Sequence, residues 1–225
     1  MIGDPVDEGV GRIAGFVNAY AFEDDSGIHL IDSTMSKTAK PLRRAFQRAN
    51  ADLTRVRTIL LTHQHLDHVR GAAELERLSH AVVGCHAADA PFIDGRLRSR
   101  RPALLRFIRV PPVQVQRTLA DGDMIGPFRV IYAPGHTIGE VAFYHPERKL
   151  LFAGDSVVEQ KGRLTIPGRR YATNLRQAVD SLQILRKLDI ELLLPGHGVP
   201  VRKDVSAQLD DLIARAPSEF LTSAG

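Results

Sequence analysis

Four short apolar runs in this chain each close on a turn that carries histidine or aspartate: LLTHQHLDH (60–68), APGHTIGE (133–140), LFAGDS (151–156) and LLPGHGVP (193–200). A short apolar run bounded by glycine or proline reads as a buried strand with a turn at its end. A fold that buries these runs therefore presents polar side chains at four strand ends. The first run is the densest, with three histidines and an aspartate in six positions. Residues two apart in an extended chain point the same way, so His63 and His65 aim at one point. Asp67 and His68 follow where a helix begins and face a neighbouring point. Imidazole and carboxylate suit zinc and similar ions, at about 2.0–2.2 Å for zinc. Helix capping is a plainer account of Asp67 alone, but it leaves three crowded histidines unexplained. A single PGH turn is ordinary; His136, Asp155 and His197 gain weight because each repeats the style of the first run.

The pattern switches repeatedly between strand and helix. VNAYAF (17–22) and IHLID (28–32), separated by EDDSG, predict a β-hairpin. KTAKPLRRAFQRAN predicts an amphipathic helix starting near Pro41. VRTILLT (56–62) and AVVGC (81–85) predict strands on either side of a helix over 67–78, and residues 86–118 are basic and less regular. FRVIYA (128–133), VAFYH (141–145) and KLLFAGD (149–155) predict three further strands. NLRQAVDSLQILRKL (174–188) predicts a helix, IELLLPGHG (190–198) a strand and loop, and KDVSAQLDDLIARA (203–216) a closing helix. Two strand groups flanked by helices put the chain in the α/β class, with two packed sheets and helices outside.

Length and composition narrow the classes. At 225 residues, one domain over 1–225 with a sizeable core is the expectation. An apolar fraction of 44% with 25% charged residues is ordinary for a globular chain and excludes a disordered one. No apolar stretch approaches the roughly 20 residues of a membrane span. The acidic start MIGDPVDEG lacks the basic and apolar regions of a secretion signal, so a cytoplasmic location is expected. Cys85 is the only cysteine, which excludes an intrachain disulfide or thiolate cluster and leaves nitrogen and oxygen as metal ligands. Cys85 itself reads as a buried small hydrophobe in an apolar strand. His29 reads as a strand-surface or satisfied core residue, His80 and His145 as solvent-facing residues beside turns, and His86 as the start of a loop near the first run.

His63-x-His65-x-Asp67-His68, followed in order by His136, Asp155 and His197, resembles the ligand pattern of the metallo-β-lactamase superfamily of dinuclear metallohydrolases. The resemblance runs from the early hairpin to Pro200. It implies a four-layer αββα sandwich with two divalent ions at the edge of the sheets. His63, His65 and His136 would hold one ion, Asp67, His68 and His197 the other, and Asp155 would bridge them. Zinc is the expected ion; iron or manganese also fit nitrogen and oxygen ligands. Two such ions roughly 3.5–4 Å apart turn a shared water into hydroxide at neutral pH and polarise the carbonyl or phosphoryl oxygen under attack. Asp67 would orient that hydroxide or shuttle a proton, so no nucleophilic side chain is needed.

Departures within the superfamily narrow the substrate. Dedicated metallo-β-lactamases generally carry cysteine or serine at the position of Asp155, so weak, promiscuous β-lactam hydrolysis is the most this resemblance allows. Glyoxalase-II-type thioesterases add a helical C-terminal domain for glutathione, and about 25 residues follow Pro200 here. Quorum-signal lactonases place a tyrosine shortly after the bridging aspartate, where this chain has DSVVEQ; Tyr171 is the candidate substitute. Flavodiiron oxidoreductases replace the second histidine with glutamate, whereas His65 is intact. The RNA-processing relatives carry an arm or inserted domain for which there is no room.

A small ester, lactone or thioester is the expected substrate, with a small phosphodiester or phosphonate as the alternative, and a homodimer stays open. Between Arg96 and Arg109 lie six arginines and no acidic residue. A basic lid favouring anionic substrates, with Arg98, Arg100 and Arg101 as contacts, competes there with a solvated helix face and with attachment to an anionic surface. A nucleic-acid-binding role calls for a contiguous basic face and stacking aromatics. With 6% aromatics and no tryptophan, no nucleic-acid partner is expected.

Overall fold

A hairpin that the residue pattern does not announce, β1 (Asp4–Asp7) and β2 (Val10–Ile13), precedes the expected one, β3 (Ala19–Asp24) and β4 (Gly27–Ile31). The stretch DPVDEGVGRI mixes charge and glycine and carries no period-two signal, and β1 is largely exposed. The computed structural model describes residues 1–99 and 107–221, and the chain divides into two units, Met1–Thr118 and Leu119–Gly225.

In the first unit, α1 (Lys40–Arg48), with Pro41 in its first turn as the sequence predicts, leads from β4 to β5 (Val56–Leu60), which pairs with β4 in parallel. The single helix expected over 67–78 is two: α2 (Leu66–Val69) and α3 (Ala72–Ser79). The break falls at Arg70 and Gly71, where the Gly71 N–H donates to Ser33 Oγ at 3.1 Å instead of continuing one helical ladder. Next come β6 (Val82–His86), parallel to β5, the short α4 (Ala90–Ile93) inside the stretch read as irregular, and β7 (Arg117–Leu119). The sheet runs β1-β2-β3-β4-β5-β6-β7. One core gathers Ala19, Ala21, Ile28, Leu30, Ile59 and Leu61 with Leu42, Phe46 and Leu75 from the helices. The alternate residues Tyr20, Phe22, Ile31 and Leu60 are buried as well. Burial of both faces explains why these strands read as continuous apolar runs. Cys85 belongs to this core, and burial pushes its thiol pKa up, as its reading as a small hydrophobe requires.

In the second unit, β8 (Met124–Ile125), β9 (Phe128–Tyr132), β10 (Val141–His145) and β11 (Leu150–Gly154) pair antiparallel in sequence. A small hairpin of β12 (Val158–Gln160) and β13 (Arg163–Thr165), not expected from the sequence, stands apart from that sheet. The helix α5 (Leu175–Arg186) is capped by Asn174, whose side chain accepts the Gln177 N–H at 3.1 Å. Parallel pairing of β14 (Leu192–Pro195) with β11 and the closing α6 (Val205–Ala216) complete the unit. Its core joins Ala142, Tyr144, Leu151, Ala153 and Leu193 with Leu182, Leu185, Leu209 and Leu212. His145 is a correction: it is buried, edge-on to Phe128 at 5.9 Å between centroids, because it closes β10 rather than opening the turn. His80 is exposed, as expected. No helix among the described residues is long and apolar enough to cross a membrane.

His29, in β4, is a satisfied core residue. Its Nδ1 lies 2.8 Å from Thr58 Oγ1, and its Nε2 lies 3.2 Å from Ser26 Oγ and 3.7 Å from Asp24 Oδ2. Burial pushes its pKa below the ordinary histidine value, and the Asp24 carboxylate offsets part of that shift. The unfolded ring titrates near about 6.5, so below that pH the unfolded chain binds the extra proton first. The stability this contributes is present above about pH 6.5 and is lost as pH falls through the folded pKa. In metal-free protein, His29→Gln should flatten the decline of Tm between about pH 7.5 and pH 5. Calorimetry across that range checks it, and an unchanged slope would assign the acid sensitivity to other groups.

Candidate metal centre

The first unit delivers four candidate ligands from one strand end. β5 hands over to an extended segment in which the Leu61 N–H donates to the Gly84 carbonyl at 2.8 Å and His65 (φ −67°, ψ 143°) precedes α2 as its N-cap. The rings of His63 and His65 have centroids 4.8 Å apart, and those of His63 and His68 4.1 Å. Ligand atoms of His63 and His65, of His63 and His68, and of Asp67 and His68 lie within 4.8 Å of one another. Asp67 sits in the first turn of α2, where the helix dipole favours a carboxylate.

Hydrogen bonds fix which nitrogen of each buried ring carries the proton. Asp32 Oδ2 accepts from His68 Nδ1 at 2.7 Å. The Thr62 hydroxyl donates to both Asp32 oxygens at 3.1 and 2.9 Å, so it accepts from His63 Nδ1 at 3.0 Å. With Nδ1 protonated on both rings, Nε2 is the nitrogen that carries the lone pair. Metal-binding imidazoles are held in this way, by a carboxylate or hydroxyl behind the ring.

The second unit delivers three. His136 and His197 place their Nε2 atoms 3.4 and 3.5 Å from the same oxygen, Asp155 Oδ2. These separations are long for an N–H···O bond. They match the roughly 3.4 Å between tetrahedral ligands each about 2.1 Å from a zinc ion. The His136 loop is pinned to the start of α5: Thr173 donates its N–H at 2.9 Å and its hydroxyl at 3.1 Å to the His136 carbonyl, and Ser181 Oγ donates to the Pro134 carbonyl at 2.7 Å. The Asp155 N–H donates to Glu140 Oε1 at 3.0 Å, and the Gly196 N–H to the Gly154 carbonyl at 2.7 Å, tying the His197 loop to the strand that ends in Asp155. The donor chemistry and spacing of both ligand sets fit divalent ions.

Of the other sequence candidates, Arg98 and Tyr171 are exposed, and Arg100 and Arg101 lie outside the described residues. The His86 ring accepts the Ala88 N–H at 3.2 Å within its own turn. Sequence reading missed Asp32, Thr62, Glu140 and Thr173. Thr62 stands inside the quoted first run and Asp32 closes IHLID, so a strand-end polar residue was the available signal.

A family model described as the metallo-beta-lactamase superfamily matches residues 12–197, and the chain belongs to that superfamily. Hydroxyacylglutathione hydrolase of Cereibacter sphaeroides is 36% identical over 124 residues, which is 53% of this chain and 40% of that protein; the match thus spans well under half of that relative. The probable metallo-hydrolase YybB of Bacillus subtilis is 26% identical over 81% of this chain and 80% of its own length. Among solved structures, the metallo-beta-lactamase family protein TTHA1429 from Thermus thermophilus superposes with a TM-score of 0.77 at 25% identity, covering 95% of this chain and 81% of that one. TTHA1623 in a di-iron-bound form superposes with a TM-score of 0.71 at 32% identity, covering 86% and 93%. The fold is the α/β sandwich of this superfamily.

Gly135 tests how tightly the His136 loop is held. It sits at φ +133°, and a Cβ there would lie 2.1 Å from the Ala178 backbone nitrogen in α5. Gly135→Ala should destabilise the fold by about 3 kcal/mol through backbone strain and overpacking. Denaturant unfolding of the metal-free protein checks this; a loss within about 0.5 kcal/mol, as at an ordinary surface site, would show that the loop is free to move off α5.

Proposed function

We propose that the two ligand sets act together as one dinuclear centre and that the whole of 1–225 is a single hydrolase domain. In this reading His63, His65 and His136 would hold one divalent ion, Asp67, His68 and His197 would hold the second, and Asp155 would link the two sets. Zinc is the first choice of ion, with iron next, since TTHA1623 carries two irons. The observation that supports the reading most directly is the placement of Asp155 Oδ2 at 3.4 and 3.5 Å from two imidazole nitrogens.

Two ions in such a centre supply hydroxide at neutral pH and a Lewis acid for the reacting oxygen. The chain's own part is orientation. Asp32 and Thr62 hold the His68 and His63 rings, and Asp67, at the helix start, would orient the attacking water or shuttle its proton. The substrate class is a small carbonyl compound, an ester, lactone or thioester. The thioester ranks first because hydroxyacylglutathione hydrolases are among the relatives. Arg98 and Tyr171, both exposed, are the proposed contacts to the substrate's acyl or anionic part.

Removing metal with a chelator should abolish hydrolysis of a thioester, ester and lactone panel, and adding back zinc, manganese or iron should restore it. Asp155→Ala should lower bound metal and cut turnover at least about a hundredfold in a folded protein. Cleavage of phosphodiesters with no turnover of any carbonyl substrate would overturn the substrate class. Unchanged metal content and rate in Asp155→Ala would overturn the bridging role.

A further inference from the structure

Two acidic side chains that belong to neither ligand set grip the loops that carry the ligands. In the first unit Asp89 is fully buried just ahead of α4. Its Oδ2 accepts the Gln64 backbone N–H at 2.9 Å, and its Oδ1 accepts from Gln64 Nε2 at 3.2 Å. Gln64 Oε1 in turn accepts from Ser99 Oγ at 2.5 Å. Gln64 is the residue between His63 and His65, so Asp89 holds the peptide that sets the angle between those two rings.

In the second unit Glu159, on β12, holds both sides of His197. Its backbone N–H donates to the His197 carbonyl at 3.0 Å, and its Oε2 accepts the Val199 N–H at 2.8 Å. Its Oε1 accepts the Gly162 N–H at 2.6 Å, which braces the carboxylate within the β12–β13 turn. A Cβ at Gly198, which sits at φ +93°, would meet the Glu159 carbonyl at 2.2 Å and Oε2 at 2.5 Å, so glycine is what permits this approach. The brace matters more here because the His197 side chain is 26% exposed on a loop with glycine on either side.

A carboxylate that accepts peptide N–H groups forms charge-assisted bonds, stronger than neutral ones. It removes backbone freedom that would otherwise be lost only when the metal binds. We propose that Asp89 and Glu159 are positioning residues that set the two metal affinities separately. Asp89 governs the ion held by His63 and His65, and Glu159 governs the ion held by His197. This rests on the two-ion reading above and adds to it a division of labour between residues that touch no metal.

Stepwise zinc dissociation constants, measured by competition with a chromophoric chelator, test it in the full chain. The proteins compared are wild type, Asp89→Asn, Glu159→Gln and the double variant. His65→Ala and His197→Ala identify which step belongs to which ion. Each single variant should weaken its own step about ten- to a hundredfold, the usual effect of losing a group that supports a ligand, and leave the other step within about threefold; the double variant should weaken both. Both steps falling together in each variant would mean general damage to the fold, and no change in either would mean that the grips are irrelevant; both results overturn the proposal. A wild-type chain that binds fewer than two zinc ions would overturn the two-ion reading itself. Should Asp89→Asn fail to fold, Gln64→Ala, which keeps the backbone and removes the side-chain arm, must shift the same step or the role of Asp89 falls.

Discussion

The Asp32 carboxylate is the constraint on which the first ligand set depends. It stands at the end of β4 with φ 61°, a left-handed conformation that aspartate tolerates better than most residues. Its N–H donates to the Leu60 carbonyl at 2.9 Å, which ties the end of β4 to the end of β5. Its oxygens take the Thr62 N–H and hydroxyl and the Nδ1 proton of His68. Ser33, the next residue, donates its N–H and hydroxyl to the His68 carbonyl, both at 2.7 Å. Two consecutive residues thus fix the ring and the backbone of one candidate ligand and, through Thr62, the ring of another.

The second unit solves the same problem differently. Asp155 is held by Glu140 from behind, His136 by Thr173 at the start of α5, and His197 by Glu159. Imidazoles and carboxylates gathered at buried strand ends are costly to keep out of water, and a divalent cation is what balances them. Metal binding should therefore stabilise the fold in proportion to its affinity, because an ion that binds only the native state shifts unfolding by mass action.

Much of this was legible in the sequence. The four runs that carry the candidate ligands stand out because an apolar strand, a glycine turn and a histidine or aspartate are all local features. The strands buried on both faces, such as GIHLI and LLFAG, were also plain, since continuous apolar runs need no partner to be recognised. What escaped was non-local. Asp32, Glu140 and Glu159 are single carboxylates whose meaning comes from backbone N–H groups 15 to 40 residues away, which no spacing rule predicts. The β1–β2 and β12–β13 hairpins escaped because short, charged, glycine-bearing strands show no alternation. Apolar spacing continues across Gly71 and so predicts one helix over 67–78, while the bond to Ser33 that interrupts it comes from the end of β4.

X-ray absorption of the zinc-loaded protein is the sharpest test of the proposed dinuclear centre. The account predicts nitrogen and oxygen ligands at about 2.0–2.2 Å with imidazole scattering, no sulfur, and a metal–metal vector at about 3.5–4 Å. A single isolated ion, with no metal–metal vector at full loading, would contradict it.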